Sequence, residues 1–400
     1  MKEMSNDPIR VFSPKFRTDE ILVQIKECLD LGWTGMGYKT NEFEKEWNKY
    51  TGLNNSYFLS SNTVGLHLAL RILGIFKKWK DGDEIITTPL TFVSTNHSIL
   101  YENLKPVFAD VDEYLCLDPA SIEERITDKT RGVFFVGMGG NPGKLNQVAE
   151  LCKKYDLSLI LDAAHMAGTY VDSDKKDNLH VGHEADISVF SFQAVKNLPT
   201  ADSGMICFKN KEHYNLCKKL AWLGIDADTY SRSQSDGSYK WHYDVPHVGF
   251  KYHGNSIMAA MALTQIKYLD SDNKRRNEIS RLYTEKLKDF KHIKIIHDST
   301  YCKSSSKHLY QILISKKDIE HKGKDLRDKI IAYFHENKIY PGVHYIDNTK
   351  YPMYNYDNGK CPNSHDYSER LITLPIHLNL SNKDIEKVIN TLKESFKVDL

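Results

Sequence analysis

Between residues 18 and 210, short apolar runs alternate with segments whose apolar residues recur at helical spacing. The apolar runs predict seven strands, at Tyr57–Leu59, Glu84–Ile86, Val107–Val111, Gly132–Val136, Leu157–Leu161, Ile187–Phe192 and Met205–Phe208. Helical patterns lie between them, near residues 63–77, 93–102, 119–126, 145–155 and 212–222. Buried strands that alternate with helices are typical of a mostly parallel sheet covered on both faces. This part of the chain therefore predicts an α/β fold.

Two helices are predicted before the first strand. Residues Thr18 to Leu31 carry apolar residues at helical spacing behind a threonine suited to a cap. Residues Asn41 to Tyr50 repeat the pattern, with Asn41 as the cap and Glu44 three residues later, which indicates a capping box.

The alternation stops near residue 225. Residues 226–248 are polar and show no clean period, and a loop of this length is typical of an active-site cover or of a disordered segment. A helical pattern then runs almost unbroken from Ser256 to about Phe290 and suggests a spine between two domains. We predict a large domain of residues 1–255, with an N-terminal arm, and a linking helix with a smaller α/β domain of residues 256–400.

The smaller predicted domain contains both strand and helix patterns. They predict strands at Leu309–Ile314 and Gly342–Tyr345 and helices at 324–336 and 382–396, with Ser381 as the cap of the last helix.

Composition narrows the class of protein. The 400 residues include 54 Lys and Arg against 53 Asp and Glu, so the net charge of +1 gives no electrostatic case for binding nucleic acid or acidic membranes. The longest apolar runs fall short of the roughly 18–20 residues of a membrane span, and the polar N-terminus lacks the apolar core of a secretory signal. Seven scattered cysteines without a CxxC pair argue against a disulfide framework. We expect a cytoplasmic protein.

One combination of residues carries specific chemistry. The predicted strand Leu157–Leu161 is followed by Asp162, and the strand Ile187–Phe192 leads into Ser191 and Lys196 at a Ser-x4-Lys spacing. Pyridoxal phosphate requires these parts: a lysine for the Schiff base, a carboxylate for the pyridine nitrogen and a hydroxyl for the phosphate. Taken singly, Lys196 would be a surface lysine and Asp162 a helix cap.

Further residues extend this predicted site. The segment Ser60–His67 turns a strand into a helix, whose first backbone N–H groups can bind a phosphate at Thr63 and Val64, although a plain N-cap explains the same residues. His165 could bond the phenolic oxygen of the cofactor or stack on its ring, and Phe92 could lie flat on the pyridine face.

These motifs, in this order, resemble the DegT/DnrJ/EryC1/StrS family of sugar aminotransferases, which adopt the aspartate aminotransferase fold, type I of the pyridoxal phosphate enzymes. The resemblance covers about residues 32–380. It includes Gly32–Gly37, Ser61–Leu68, Asp162–His165, Ser191–Asn197, Gly249–Tyr252, Pro341–Tyr345 and Leu374–His377.

The resemblance implies roles that agree with the interpretation from the residues. Lys196 and Asp162 would be the catalytic pair, and Lys251 would reach the phosphate of the neighbouring subunit and make a homodimer obligatory. The full set of predicted cofactor contacts is Thr63, Val64, Phe92, Asp162, His165, Ser191, Lys196, Asn197 and Lys251. The predicted substrate contacts are Trp33, Thr34, Gln193, His344 and Tyr345, with closure by the loop 230–243. No metal site is predicted.

The chain departs from the family pattern in three places. Gln193 stands where many members carry His, Asp202-Ser203-Gly204 replaces Glu-Gly-Gly, and residues 253–256 differ from the usual Arg-Met-Ser/Thr-Asp/Asn. These changes affect the turn after the lysine and the contacts to the sugar.

The resemblance implies one favoured reaction, and four alternative functions are weighed against it. We expect transfer of an amino group from L-glutamate to a nucleotide-linked 4-keto-6-deoxyhexose, in amino-sugar biosynthesis for glycans such as an O-antigen. Amination at C3 is the second choice. A sugar dehydratase of the same family would carry His in place of Lys196, and a non-catalytic regulator would have lost the lysine or Asp162. A metalloenzyme could use the fragment His180-x-x-His183-Glu184, but this matches no zinc motif and suggests a surface loop.

Overall fold

The computed structural model describes residues 7–172, 179–226, 243–323, 325–357 and 359–398. Its strands are β1 (Ile9–Arg10), β2 (Ser56–Leu59), β3 (Glu84–Thr87), β4 (Lys105–Phe108), β5 (Thr130–Val136), β6 (Ser158–Asp162), β7 (Tyr170–Val171), β8 (Leu179–His180), β9 (Ile187–Ser191), β10 (Gly204–Phe208), β11 (Ile293–Ile295), β12 (Cys302–Ser304), β13 (Tyr310–Ile314), β14 (Ile339–Tyr340) and β15 (Leu371–Leu374).

The helices that separate these strands are mostly those indicated by the periodic patterns. They are α1 (Thr18–Asp30), α2 (Tyr38–Thr51), α3 (Asn62–Lys77), α4 (Val93–Tyr101), α5 (Pro119–Glu124), α6 (Leu145–Lys154), α7 (Lys211–Leu220), α8 (Ser256–Ile266), α9 (Leu269–Leu287), α10 (Lys316–Lys322), α11 (Leu326–Glu336), α12 (Pro362–Arg370) and α13 (Asn382–Ser395).

Seven strands form one sheet in the order β2-β10-β9-β6-β5-β3-β4. The strand β10 runs antiparallel to both of its neighbours, and the other pairs are parallel. These are the seven predicted strands, so the predicted α/β fold with a mostly parallel sheet is confirmed. The strands β2, β6, β9 and β10 are buried at every position, because helices cover both faces of the sheet.

The two predicted N-terminal helices form, but their predicted caps are wrong. Thr18 lies inside α1, and no side chain caps this helix. The helix α2 begins three residues before Asn41, at a reciprocal pair of hydrogen bonds between Gly37 and Thr40. Glu44 instead accepts the backbone N–H of Phe58 at 2.9 Å, which joins α2 to β2.

The C-terminal predictions need two corrections. The helical pattern of Ser256–Phe290 is two helices, α8 and α9, separated at Lys267-Tyr268. Residues 342–345 form no strand, since only Gly342 bridges to Thr373 of β15. The cap of α13 is confirmed, because Ser381 and Asp384 form a capping box.

One apolar cluster packs against the C-terminal sheet, and a larger one packs against the seven-stranded sheet. The antiparallel sheet β11-β13-β15 packs with α9, α11 and α13 around Ile279, Ile312, Phe334 and Leu392. A larger cluster lies on one face of the seven-stranded sheet and includes leucines, phenylalanines and valines of β5, β6 and β9. The N-terminal arm joins the C-terminal part through parallel pairing of β1 with β14. The division at residues 255 and 256 stays a prediction.

Three further predictions concern the loop 226–248, the cysteines and membrane-spanning helices. Of the predicted loop 226–248, residues 227–242 lie outside the described residues. All seven cysteines are described and none forms a disulfide. Within the described ranges, no helix combines the length and the apolar character that crossing a membrane requires.

Candidate active site

A cavity of about 410 Å³ opens at the carboxyl ends of β5, β6 and β9. Val136, Asp162 and Ser191, the last residues of these strands, all line it. Ligands of open α/β sheets bind at this edge, which is where the sequence placed the chemistry. Besides these three, the predicted residues that line the cavity are Thr63, Phe92, His165, Gln193, Lys196, His344 and Tyr345.

Asp162 is a buried carboxylate surrounded by hydrogen-bond donors. It accepts Thr95 Oγ1 at 2.7 Å, the backbone N–H of Ala164 at 3.2 Å and Asn62 Nδ2 at 3.4 Å. Burial raises the pKa of Asp162, while the hydrogen bonds from Thr95 and Ala164 and the charge of Lys196 oppose that rise. The arrangement gives the cavity an acidic group at the end of β6.

Lys196 follows β9 in a tight turn, where its backbone N–H donates to the carbonyl of Gln193 at 2.8 Å. Its half-buried side chain lines the cavity. Burial lowers the pKa of Lys196 to about 8, although the charge of Asp162 acts in the opposite direction. At neutral pH a larger fraction of this amine is uncharged than of an ordinary lysine, as a nucleophile requires.

His165 is held as a neutral ring in one tautomer. Its Nδ1 accepts the backbone N–H of Gly139 at 3.2 Å, so the proton lies on Nε2, which is 3.2 Å from the hydroxyl of Tyr345. Burial, assisted by the charge of Lys196, lowers the pKa of His165 well below its ordinary value. His165 can therefore donate a hydrogen bond but carries no charge at neutral pH.

The start of α3 forms one side of the cavity. Ser61 caps this helix by accepting the N–H of Val64 at 3.4 Å, and Thr63 lines the cavity while Val64 does not. A Cβ atom at Gly204 would lie 2.7 Å from the backbone nitrogen of Asn62, so glycine is required for β10 to approach the helix start. A helix N-terminus with adjacent hydroxyl groups suits a phosphate.

The outer wall of the cavity is aromatic. His344 and Tyr345 come from the loop after β14, and the ring of Tyr345 lies 6.0 Å from that of Phe92, which is 57% exposed. Burial lowers the pKa of His344 to about 4. Phe12 and His308 also line this wall, and the sequence analysis missed both. Phe12 lies in an N-terminal arm without periodicity. His308 comes just before the apolar strand β13, and a single histidine there belongs to no recognisable motif.

Five predicted site residues do not line the cavity of their own chain. Besides Val64 they are Trp33, Thr34, Asn197 and Lys251. Trp33 Nε1 donates to the carbonyl of Met36 at 2.9 Å. Lys251 is exposed, and its Nζ lies 3.6 Å from the ring centroid of Trp222.

The fragment His180–Glu184 is not the surface loop that the sequence suggested. His180 is buried, and its two ring nitrogens contact the N–H of Gly168 and the carbonyl of Val181. Glu184 accepts the hydroxyl of Tyr301 at 2.7 Å. Among the described residues, no group of three or more His, Cys, Asp and Glu side chains could hold a metal ion.

A buried acid, an amine of lowered pKa and a helix N-terminus around one cavity are the parts of a pyridoxal phosphate enzyme. Residues 16–393 match the model of the DegT/DnrJ/EryC1/StrS aminotransferase family, and the chain belongs to this family. The chain is 31% identical to the spore coat polysaccharide biosynthesis protein SpsC of Bacillus subtilis, over 94% of this chain and 95% of SpsC.

Solved structures agree with this assignment. PseC of Helicobacter pylori, an aminotransferase involved in the biosynthesis of pseudoaminic acid, aligns with a TM-score of 0.87 at 25% identity, over 98% of this chain and 100% of PseC. Spr1654 of Streptococcus pneumoniae, solved in a PLP form and a PMP form, aligns at 26% identity over 97% of this chain and 99% of Spr1654, with a TM-score of 0.87 for the PMP form. The fold is therefore that of the PLP-dependent sugar aminotransferases, which confirms the predicted fold class.

Proposed function

We propose that this protein is a pyridoxal phosphate-dependent aminotransferase that moves an amino group from L-glutamate to a nucleotide-linked keto-6-deoxyhexose. The observation that carries the proposal is the cavity in which Lys196, with a pKa of about 8, lies with the buried carboxylate of Asp162. Family membership supports the aminotransferase reaction and a sugar substrate.

The residues of the cavity fit pyridoxal phosphate. The N-terminus of α3 at Thr63, together with the hydroxyl of Ser191, would hold the phosphate, and Gly204 leaves room for the close approach of the two segments. Asp162 would pair with the pyridine nitrogen and Lys196 would bind the aldehyde carbon. The proposed roles of Asn197 and Val64 are indirect, because their polar groups contact protein atoms.

When bound, the cofactor supplies an electron-withdrawing ring that stabilises negative charge at the carbon from which a proton is removed. Lys196 Nζ would take that proton from the α-carbon of the amino donor as a general base and, as a general acid, deliver it to the aldehyde-derived carbon of the cofactor, a shuttle suited to a pKa of about 8. Asp162, held by Thr95 and the backbone of Ala164, would pair its negative charge with the ring nitrogen. His165, whose Nε2–H lies 3.2 Å from the hydroxyl of Tyr345, would donate a hydrogen bond to the phenolic oxygen of the cofactor or stack on its ring.

The sugar acceptor is proposed from the relatives. SpsC acts in polysaccharide biosynthesis and PseC in the biosynthesis of pseudoaminic acid, so an amino sugar destined for a glycan is the favoured product. We favour a 4-keto acceptor, with a 3-keto acceptor as the alternative. Gln193, His344 and Tyr345 line the cavity and would contact the sugar. The presence of Lys196 disfavours both the dehydratase and the non-catalytic regulator.

A homodimer would complete the site. Lys251 is exposed and lies outside the cavity of its own chain, which supports a contact with the phosphate of a neighbouring subunit. Trp33 and Thr34 would reach the neighbouring substrate in the same way. A cytoplasmic location is part of the proposal, since nucleotide-linked sugars are made there.

The test is an absorbance spectrum of the protein with pyridoxal phosphate, before and after L-glutamate, beside the variant Lys196→Ala. We expect the band of the lysine-bound cofactor, and its conversion to the pyridoxamine band, in the wild-type protein alone. Nucleotide-linked 4-keto and 3-keto sugars are then added, and the acceptor is the one that restores the first band. Absence of any band in the wild-type protein would refute the proposal.

A further inference from the structure

A second histidine, His308, lies beside the proposed centre and has no role in the chemistry above. It is 1% exposed, and its ring centroid lies 4.4 Å from that of His165. Its Nδ1 lies 2.9 Å from Oδ1 of Asn197, the residue after Lys196. The buried ring of His308 thus contacts His165 directly and is linked to Lys196 through Asn197.

The direction of the bond between His308 and Asn197 follows from the other partners of the amide. Asn197 Nδ2 donates to the carbonyl of Ser306 at 2.6 Å and to Oδ1 of Asn273 at 2.7 Å. Because a backbone carbonyl can only accept, the amide nitrogen faces Ser306 and the amide oxygen faces His308. His308 Nδ1 therefore carries a proton and donates it to Asn197.

The backbone of His308 belongs to the same network. Its N–H donates to the carbonyl of Gly139 at 3.0 Å, and the N–H of Gly139 donates to Nδ1 of His165 at 3.2 Å. Ser306, two residues before His308, donates its hydroxyl to the carbonyl of His165 at 2.5 Å. At Gly140, which has φ +96°, a Cβ atom would lie 2.2 Å from Ser306 Oγ, so glycine is needed for this close packing.

The N-terminal arm holds the ring of His308 as well. Phe12 stacks on it with centroids 5.3 Å apart and an interplanar angle of 13°, and both rings line the cavity. His308 is therefore fixed by stacking with Phe12, by its contact with His165 and by two hydrogen bonds, so its orientation is well determined.

We propose that His308 is a positioning residue that aligns the two sides of the centre. Its Nδ1–H bond to Asn197 holds the turn that carries Lys196, and its ring supports the ring of His165. The inference rests on the proposed function, because Lys196 and His165 are the groups to which that function assigns roles.

Two variants separate the two contacts of His308. His308→Phe keeps a ring against His165 and removes the Nδ1–H donor, whereas His308→Gln keeps an N–H donor and removes the ring. Asn197→Ala removes the acceptor of that bond together with the Nδ2 donor to Ser306 and Asn273. The matched control is His377→Phe, which replaces another buried histidine that does not line the cavity. Circular dichroism and thermal melting establish that each variant is folded.

Two quantities are measured for each variant: the dissociation constant of pyridoxal phosphate from the apoprotein and the rate constant of band conversion with saturating L-glutamate. For His308→Phe and Asn197→Ala we expect a rate constant lower by about 10- to 100-fold with an affinity within about threefold of wild type, because Lys196 is misplaced. For His308→Gln we expect pyridoxal phosphate affinity about tenfold weaker, because His165 loses its support. The double variant His308→Phe with Asn197→Ala should lose no more than Asn197→Ala alone, because the bond between the two residues is already absent there.

The positioning role is refuted if His308→Phe and His308→Gln match the His377→Phe control in both quantities, or if the losses of His308→Phe and Asn197→Ala multiply. These outcomes leave the proposed function intact, since the wild-type protein then still converts the band. A wild-type protein that converts no band refutes the proposed function itself, whereas changed affinities in the apoprotein would still report the support of His165.

Discussion

Thr95 Oγ1 donates a 2.7 Å hydrogen bond to Oδ2 of Asp162. Thr95 is fully buried in the first turn of α4, and its oxygen also lies 3.1 Å from Thr91 Oγ1. Since Thr95 gives its proton to the carboxylate, Thr91 must donate to Thr95. The helix α4, which follows β3, thus favours the ionised form of Asp162 at the end of β6.

Thr95→Val should impair the proposed reaction by changing the ionisation of Asp162. Loss of the hydroxyl donor raises the pKa of Asp162 further, so the carboxylate becomes protonated at a higher pH. A hydrogen bond to a charged group contributes about 1.5–3 kcal/mol, which corresponds to a loss of pyridoxal phosphate affinity of about tenfold or more. We expect the acidic limb of the affinity profile to move to higher pH, as measured by titration of the apoprotein between pH 5 and 8.

The control for this prediction is Thr264→Val. Thr264 is also fully buried, but its hydroxyl donates to the carbonyl of Ala260 within α8, away from the cavity. This variant should keep the wild-type affinity profile. An unchanged acidic limb in folded Thr95→Val would show that Thr95 has no part in the ionisation of Asp162.

Much of the fold could be predicted because each strand of the large sheet contains a short apolar run, and helical patterns separate most of these runs. The predicted helix caps were wrong where a cap residue bonds a distant segment. Glu44, for example, accepts the backbone N–H of Phe58 instead of closing a capping box with Asn41. In the cavity, Asp162 and Lys196 were predictable, since Asp162 ends the apolar strand β6 and Lys196 comes soon after the neighbouring strand β9. His308 and Thr95 were not, because their roles arise from contacts between segments far apart in the chain.

Lys196 should react as an amine at a lower pH than the other lysines. With a pKa of about 8, roughly a tenth of it is uncharged at pH 7, against less than a thousandth of an exposed lysine. We expect reductive methylation of the apoprotein at Lys196, followed by peptide mass spectrometry, to increase with pH and level off above about pH 9. In Asp162→Asn the inflection should move to lower pH, because the carboxylate raises the pKa of Lys196. Methylation that still increases above about pH 9, as for an exposed lysine, would contradict the prediction.

The buried histidines should make the apoprotein less stable in acid. Burial lowers the pKa of His180 and of His377 to about 4, whereas an unfolded histidine titrates near 6.5. Between these values the unfolded chain binds more protons, so stability falls as the pH falls, by up to about 1.4 kcal/mol per pH unit for each histidine. Asp112 acts in the opposite direction, because burial raises its pKa to about 6.

A single variant isolates this effect. The urea midpoint is measured at pH 7 and pH 5.5 for the wild-type protein and for His377→Phe, and the variant should show the smaller drop between the two pH values. The absolute midpoint of the variant is immaterial, because the comparison is between pH values. An equal drop in both proteins would mean that His377 titrates normally in the folded state.

The exposed position of Lys251 leads to a prediction about mixed dimers. If Lys251 acts on the neighbouring subunit, a hybrid of one Lys196→Ala subunit and one Lys251→Ala subunit has one site with both lysines and one site with neither. If Lys251 acts within its own chain, every site of the hybrid lacks one lysine. Equal amounts of the two variants are mixed under conditions of subunit exchange. The mixture should regain about a quarter of wild-type activity in the first case and none in the second, since half of the dimers are hybrids with one complete site.

The matched control is a mixture of Lys196→Ala with Lys209→Ala, since Lys209 lies outside the cavity. Its activity should equal that of the same amount of Lys209→Ala protein measured alone, before and after subunit exchange. Failure to restore activity, with subunit exchange verified by differently tagged chains, would place Lys251 outside the neighbouring site.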